Sequence, residues 1–407
     1  MGVVVYPRRV VASAVLAVVV CVLSGCATTG GAASSPVPSS AVAASSSAAS
    51  SSAAALAAGP DCPVETCTTV LVTGDMLFHD GLWEQYTEDD PTTTANFDFT
   101  GLLEGQIPYL ESADLAVCHM ETPLAETGGP YSGYPIFSIP PEIAQDARSV
   151  GYDVCTQASN HSVDQGTEGI LRSIDTLEAA GLEHTGIYRT EEESEGVLIY
   201  DTPTARIAVI NGTFSLNGLS AEYDWQVDGI DVDTLIAKAQ QARAEGADIV
   251  IAGLHVGTEY QSTPNSQQVS VDRALVDSGE FDFVYNHHSH SPQPLEYYNG
   301  TWIAYSLGNN VSESSDLYRV NNEFLMVRIQ FAWDEDAQEW TTSDMAWVPA
   351  VNTQDGGYKW CSVASDSPQG VCVSEASDAE SRSRVETVVN SWGAAEAGAH
   401  ELLITQE

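Results

Sequence analysis

Beyond residue 67, short apolar runs alternate with amphipathic stretches, a rhythm that restricts the chain to sheets whose strands are joined by helices. The runs predict strands over 68–73, 114–118, 152–157, near 196–200, and over 205–211, 247–254 and 281–285. Helices are predicted over 100–112, 141–150, 166–180, 231–245 and 266–278. Asn299-Gly300 lies between Leu295–Tyr298 and Thr301–Tyr305, a two-residue turn that predicts a hairpin. Strand-like runs Glu323–Trp333 and Trp340–Pro349 follow, and a polar helix is expected over 376–407. Alternating βα units followed by hairpins predict an α/β fold with two sheets and helices outside.

The ends of these runs are unusually polar. Seven of the nine histidines fall in five segments there: Gly74-Asp75 with His79, His119 with Glu121, Asn160-His161, His255, and His287-His288-Ser289-His290. Open α/β sheets bind ligands at the carboxyl ends of their strands. Imidazole, carboxylate and amide oxygen together make a mixed N/O site for Zn, Mn, Fe or a similar divalent ion. Asp75 can bridge two cations, or else cap a turn. His119 and Glu121 face the same way on an extended segment, as a metal pair, an acid/base pair or a hydrogen-bonded pair. Asn160 offers an amide oxygen, and His161 can act as an acid or steady a transferring group. Asp164 either orients His161 or caps the helix that follows. His255 reads as a ligand at a strand end. His288 and His290, two apart on an extended chain, face one side and can share a metal, whereas His287 faces away and reads as structural. His79 is read equally as an imidazole near the site and as a plain loop residue. Glu259, Tyr260, Ser306 and Asn309 are expected to line the pocket or hold loops.

Residues 1–25 have a basic start at Arg8 and Arg9 and an apolar run from Val10 to Leu23, the pattern of a secretory signal. Leu23-Ser24-Gly25-Cys26 matches a bacterial lipobox, so Cys26 is the expected lipidation site; the alternatives are a signal cut elsewhere and an uncleaved anchor. Residues 26–60 are almost wholly Ala, Ser, Thr, Gly and Pro, a flexible tether with a mean reach of roughly 30–35 Å. The chain is therefore expected to be extracytoplasmic and lipid-anchored to the membrane. Formal charge is −43, with lysine only at 238 and 359, which argues against nucleic acid as a partner. The acidity fits either high salt or simple solubility. In an oxidising compartment the remaining six cysteines are disulfide candidates, and sequential pairing of Cys62 with Cys67, Cys118 with Cys155 and Cys361 with Cys372 is the simplest arrangement. Buried free thiols at Cys118 and Cys155 are the rival reading.

Five blocks resemble the CapA family of poly-γ-glutamate capsule synthesis proteins, relatives of the calcineurin-like metallophosphoesterases. They are Leu71–Asp75, Asp114–Leu124, Gly151–Gly169, Leu254–Tyr260 and Phe281–Asn310. The chain departs from that pattern at His119 (Asn in the family), Ser159 (Asn), Val256 (Trp), Asn286 (Gly) and Ser289 (Pro). The resemblance implies a two-sheet α/β/β/α sandwich of the metallophosphoesterase type over 61–375. It also implies two divalent metals held among Asp75, His119, Glu121, Asn160, His255, His288 and His290, with His161 and Asp164 catalytic. Asp75 and Asn160 are expected to lie between the metals. The expected activity is metal-dependent, phosphoesterase-like hydrolysis linked to capsule or poly-γ-glutamate synthesis or export, with the polymer or its synthesis machinery as partner. The alternative is a non-catalytic polymer-handling or anchoring factor. A metal-carrying solute-binding lipoprotein is a third reading, without the two lobes and hinge it needs.

Overall fold

A computed structural model describes residues 60–87, 96–313, 319–353 and 357–404. The signal segment, Cys26 and all of the tether but Pro60 lie outside the described residues. The strands, in chain order, are β1 (Cys67–Leu77), β2 (Leu115–His119), β3 (Val154–Thr156), β4 (Glu183–Thr185), β5 (Leu198–Asp201), β6 (Arg206–Thr213), β7 (Ile249–His255) and β8 (Phe283–His287). They continue with β9 (Leu295–Tyr298), β10 (Thr301–Ala304), β11 (Asn309–Ser312), β12 (Glu323–Asp334), β13 (Glu339–Thr353), β14 (Lys359–Ser362) and β15 (His400–Glu401).

Two sheets result, as expected. One runs β14-β13-β12-β1-β2-β3-β4, with β11 beside β1 and β15 beside β13; the other runs β5-β6-β7-β8-β10-β9. β1 to β4 are parallel, as are β6 to β8 and β10, and the later hairpins supply antiparallel edges. Period-2 alternation sorts the side chains into layers. Val70 and Val72 of β1, Leu115 and Val117 of β2, and Ile249 and Ile251 of β7 join one buried cluster between the sheets. Leu71, Ala116 and Cys118 instead pack outward with Leu102, Ile143 and Leu177 of the helices. Val250, Ala252 and Leu254 pack on the opposite outer face, with Leu235 and Leu275. Both faces of each parallel segment are covered, which is why these strands read as unbroken apolar runs. Each Val, Ile or Leu so buried contributes about 1.5–3 kcal/mol.

The expected helix over 100–112 is instead three short turns, Thr100–Leu103, Glu104–Gln106 and Ile107–Leu110. Pro108 has no N–H to donate to the carbonyl four residues back, and Gly105 lies against Trp360, where a Cβ would be 2.6 Å from the carbonyl oxygen. The C-terminal helix covers Glu375–Val389; Val385 and Val389 then enter the inter-sheet cluster, and the chain closes as β15. All six described cysteines pair sequentially, and Cys118 faces Cys155 in register on adjacent strands.

Candidate metal centre

Parallel pairing brings the carboxyl ends of strands from both sheets to one place. Asp75 is in register with His119 on the neighbouring strand, and His255 with His287 in the other sheet. The two sheets meet there, with His119 Nε2 3.0 Å from His255 Nδ1. Asp75 is placed by a close backbone approach. A Cβ on Gly74 would lie 2.1 Å from the Gly308 carbonyl oxygen, which accepts from Asp75 N at 2.9 Å. The Gly-Asp block and the Ser-Leu-Gly-Asn block, far apart in sequence, thus dock on each other.

All seven residues expected to hold metal are buried and converge. Donor atoms of Asp75, Glu121 and His290 lie within 4.8 Å of one another. Beside them, His255 Nε2 lies 2.8 Å from Asn160 Oδ1, 3.2 Å from His288 Nδ1 and 3.8 Å from Glu121 Oε1. Glu121 Oε1 is also 3.8 Å from His290 Nε2. Glu121 is therefore the carboxylate between the two groups, the place expected for Asp75 and Asn160.

Neither Glu121 oxygen has a hydrogen-bond partner, whereas Asp75 Oδ1 lies 2.8 Å from His287 Nδ1. A buried carboxylate left bare is costly, and a cation among these oxygens and nitrogens removes that cost. The donor set therefore fits divalent metal. Burial holds the Glu121 carboxyl well above its ordinary range. Burial pushes Asp75 the same way, but His287 and His290 outweigh it and bring its carboxyl well below the usual carboxylate range. Burial depresses His119 and His255 strongly, and it takes His288 down to about 3, helped by the charge of His290. His290 goes the other way: burial works against its proton, yet Glu121 and Asp75 pull it up to about 10.

Three placements differ from expectation. β8 ends at His287, and His288 and His290 have φ of +77° and +52°, so they are not alternate residues of a strand. They still share a neighbourhood, because the loop turns both inward; Ser289, where the resembled family has Pro, ties it by donating to the Ser291 carbonyl at 2.8 Å. His287, expected to face away, is buried with its Nδ1 2.8 Å from Asp75 Oδ1 and its ring stacked 4.0 Å from that of His119. His119 has its Nδ1 2.8 Å from Thr156 Oγ1, and it shares a group of possible metal donors, all within 4.8 Å of one another, with Asp75 and His287. Asn309, expected to line the pocket or hold a loop, has its Oδ1 accepting from His290 Nδ1 at 2.9 Å. A Glu259 oxygen also lies within 4.8 Å of His288 and His290 donor atoms. Asn309 opens the four-residue β11 and Glu259 lies in the loop after β7, positions that leave little periodic signal, so only their motif neighbours marked them.

His161 faces the centre from the turn after β3. Its Nδ1 is 2.7 Å from Asp164 Oδ2, which also accepts from Phe137 N at 2.8 Å. The following helix is capped by Gln165 without a side-chain bond, which resolves the two readings of Asp164 in favour of His161. With Nδ1 occupied, Nε2 is the nitrogen left for a ligand. His161, His290 and His79 line a cavity of about 280 Å³ with Phe137, Glu259 and Tyr260.

The family model for "Bacterial capsule synthesis protein PGA_cap" matches residues 69–314. The "Capsule biosynthesis protein CapA" of Bacillus anthracis is 27% identical over 213 residues, 50% of this chain and 52% of that protein. The "PGA biosynthesis protein CapA" of Bacillus subtilis is 29% identical over 167 residues, 40% and 43% of the two chains. The chain thus spans about half the length of these relatives. Among solved structures, the calcineurin-like phosphoesterase YfkN of Bacillus subtilis is similar, with TM-score 0.45 and 14% identity over 79% of this chain and 97% of that one.

Proposed function

Because the chain belongs to the bacterial capsule synthesis protein family, we propose that it is a metal-dependent hydrolase acting on a phosphoester outside the cytoplasm, lipid-anchored through Cys26. The observation that carries this is Glu121, a buried carboxylate with both oxygens bare, set between two groups of nitrogen and oxygen donors. Asp75, Glu121 and His290 would hold one ion, and Glu121, Asn160, His255 and His288 a second. A divalent pair supplies an activated water and a counter-charge for the reacting centre.

The chain's own groups do the rest. Asp164 fixes the ring of His161 and the tautomer with the proton on Nδ1 in the neutral form, so Nε2 can exchange a proton with a leaving group. The Phe137 and His161 ring centroids lie 4.7 Å apart with the planes nearly perpendicular, a contact that limits rotation of the imidazole. Capsule polymer or its synthesis machinery is the proposed partner, on the strength of the relatives' names.

Metal content by mass spectrometry, on protein purified without chelators, tests the reading beside a His288→Ala/His290→Ala variant. One or two equivalents of transition metal, lost in the variant, are expected. His161→Ala should then lower phosphoester turnover by about 10²–10⁴-fold with metal retained. Folded protein that takes up no Mn or Zn would favour the non-catalytic polymer-handling reading instead, and full turnover by His161→Ala would remove the role given to that side chain.

A further inference from the structure

Behind His255 lie two buried hydrogen-bonding groups, Thr156 and His119, to which the hydrolysis proposed above gives no task. Thr156, His119 and His255 are fully buried, and Asn160 nearly so. Thr156 Oγ1 is 2.8 Å from His119 Nδ1, His119 Nε2 is 3.0 Å from His255 Nδ1, and His255 Nε2 is 2.8 Å from Asn160 Oδ1. Asn160 Nδ2 donates to Asn217 Oδ1 at 3.3 Å, which identifies the oxygen as the atom turned toward His255. Thr156 has a second outlet, because its hydroxyl can donate to the Cys118 carbonyl at 3.2 Å.

Only two arrangements of protons satisfy this line when both imidazoles are neutral. In the first, the Thr156 hydroxyl donates to His119 Nδ1, His119 Nε2–H donates to His255 Nδ1, and His255 Nε2–H donates to Asn160 Oδ1. In the second, every bond is reversed: the hydroxyl turns to Cys118 O, His119 Nδ1–H donates to Thr156, and His255 Nδ1–H donates to His119 Nε2. His255 Nε2 is then a lone pair 2.8 Å from the Asn160 oxygen and 3.2 Å from His288 Nδ1, facing acceptors that repel unless a cation, or a proton on His288 Nδ1, lies between them. A neutral imidazole has one donor and one acceptor nitrogen, so the direction at Thr156 dictates the atom presented at Asn160.

We infer that Thr156 and His119 form a reversible relay that sets the tautomer of His255, the first direction closing the site without metal and the second opening it to metal. The change conserves protons: each imidazole moves one N–H from Nε2 to Nδ1, the hydroxyl rotates, and none leaves the protein from this line. The Cys118 carbonyl makes the reversal possible, since otherwise the hydroxyl proton would be stranded. His119 is then a positioning residue rather than a ligand, which gives a use to an imidazole where the resembled family has an amide. Thr156 is a positioning residue one step further back.

This inference rests on the metal reading above. The test uses the full chain and Zn²⁺ as probe, with two readouts. Affinity by chelator competition is compared for wild type, Thr156→Val and Thr156→Ser. Valine keeps the shape of threonine but cannot accept from His119 Nδ1–H, so zinc should bind about 10–100-fold more weakly, the usual effect of removing such a partner. Serine keeps the hydroxyl and should restore affinity to within about threefold. Imidazole ¹⁵N NMR of the wild type should place the His255 proton on Nε2 without metal and on Nδ1 with zinc, a readout that survives even if the valine variant fails to fold. Equal zinc affinity in Thr156→Val, or an unchanged His255 tautomer on zinc addition, would overturn the relay and leave the metal site standing. A wild type that takes no zinc would overturn both.

Discussion

Glu121 is the side chain on which the chemistry of this site turns. Both of its oxygens are buried and unbonded, and burial already holds its carboxyl well above the ordinary range. Glutamine copies the shape of the neutral acid without its charge. In the metal-free protein Glu121→Gln should therefore cost nothing at low pH. At higher pH it should gain on the order of 1–3 kcal/mol, because wild type must then ionise a carboxyl whose burial outweighs the nearby charge of His290. Metal affinity should fall at least tenfold in the same variant. Paired thermal melts with chelator and with Mn²⁺ check this. A loss of stability in the metal-free melt would mean that Glu121 holds the fold through bonds of its own. The residue types were legible from sequence, since His, Asp, Glu and Asn after apolar runs have few other uses together. Their division of labour was not. His287 was assigned to the wrong side because the alternation rule was extended past the end of β8, and positive φ at His288 and His290 breaks that rule. Glu121 took the central position from Asp75 because position between two sheets depends on how those sheets face each other, which no local pattern encodes.

At the scale of elements, the contact of β1 with β11 positions the first carboxylate. Gly74 leaves no space for a methyl group: a Cβ would lie 2.1 Å from Gly308 O and 2.9 Å from the carbonyl carbon of Asn309, both backbone atoms. Gly74→Ala must push the strands apart, and such overpacking costs about 1–3 kcal/mol or more. Asp75 N would lose its bond to Gly308 O, and the carboxylate would move from its place near His287 and His290. Metal affinity and melting temperature should drop together in this variant, whereas Glu121→Gln separates them. Unchanged affinity in Gly74→Ala would show that Asp75 is positioned by its side-chain contacts alone. The long strands and amphipathic helices were legible because they repeat a period over many residues. β4, β11, β14 and β15 were not, being two to four residues long and held by neighbours rather than by pattern. The broken helix around Pro108 failed for a different reason, a proline signal outvoted by its apolar surroundings.

For the whole molecule, protons and metal compete for one buried site, and the sign of that competition can be worked out. Glu121 and Asp75 hold His290 up at about 10 in the folded chain, against about 6.5 when unfolded. Its contribution to stability is complete below about 6.5 and is lost as pH rises toward 10. Glu121, with its carboxyl raised by burial, likewise destabilises the metal-free fold increasingly as pH climbs above its unfolded value near 4.3. Above about pH 7.5, where the burial-depressed His119, His255 and His288 are neutral in the folded and the unfolded chain alike, both trends run the same way: the metal-free fold binds more protons than the unfolded chain, so its stability falls with pH. A divalent ion takes the place of those protons, and its binding must release them. The melting temperature of chelator-treated protein should therefore decline from about pH 7.5 to 9, while the Zn²⁺- or Mn²⁺-loaded protein holds level or rises. His400, raised by its bond to Asp344, adds a surface contribution of the same sign, but it is common to both samples and cancels in the comparison. Calorimetry of metal addition at pH 7 in buffers of different ionisation enthalpy should register proton release. Parallel melting profiles with no released proton would place the metal away from His290 and Glu121.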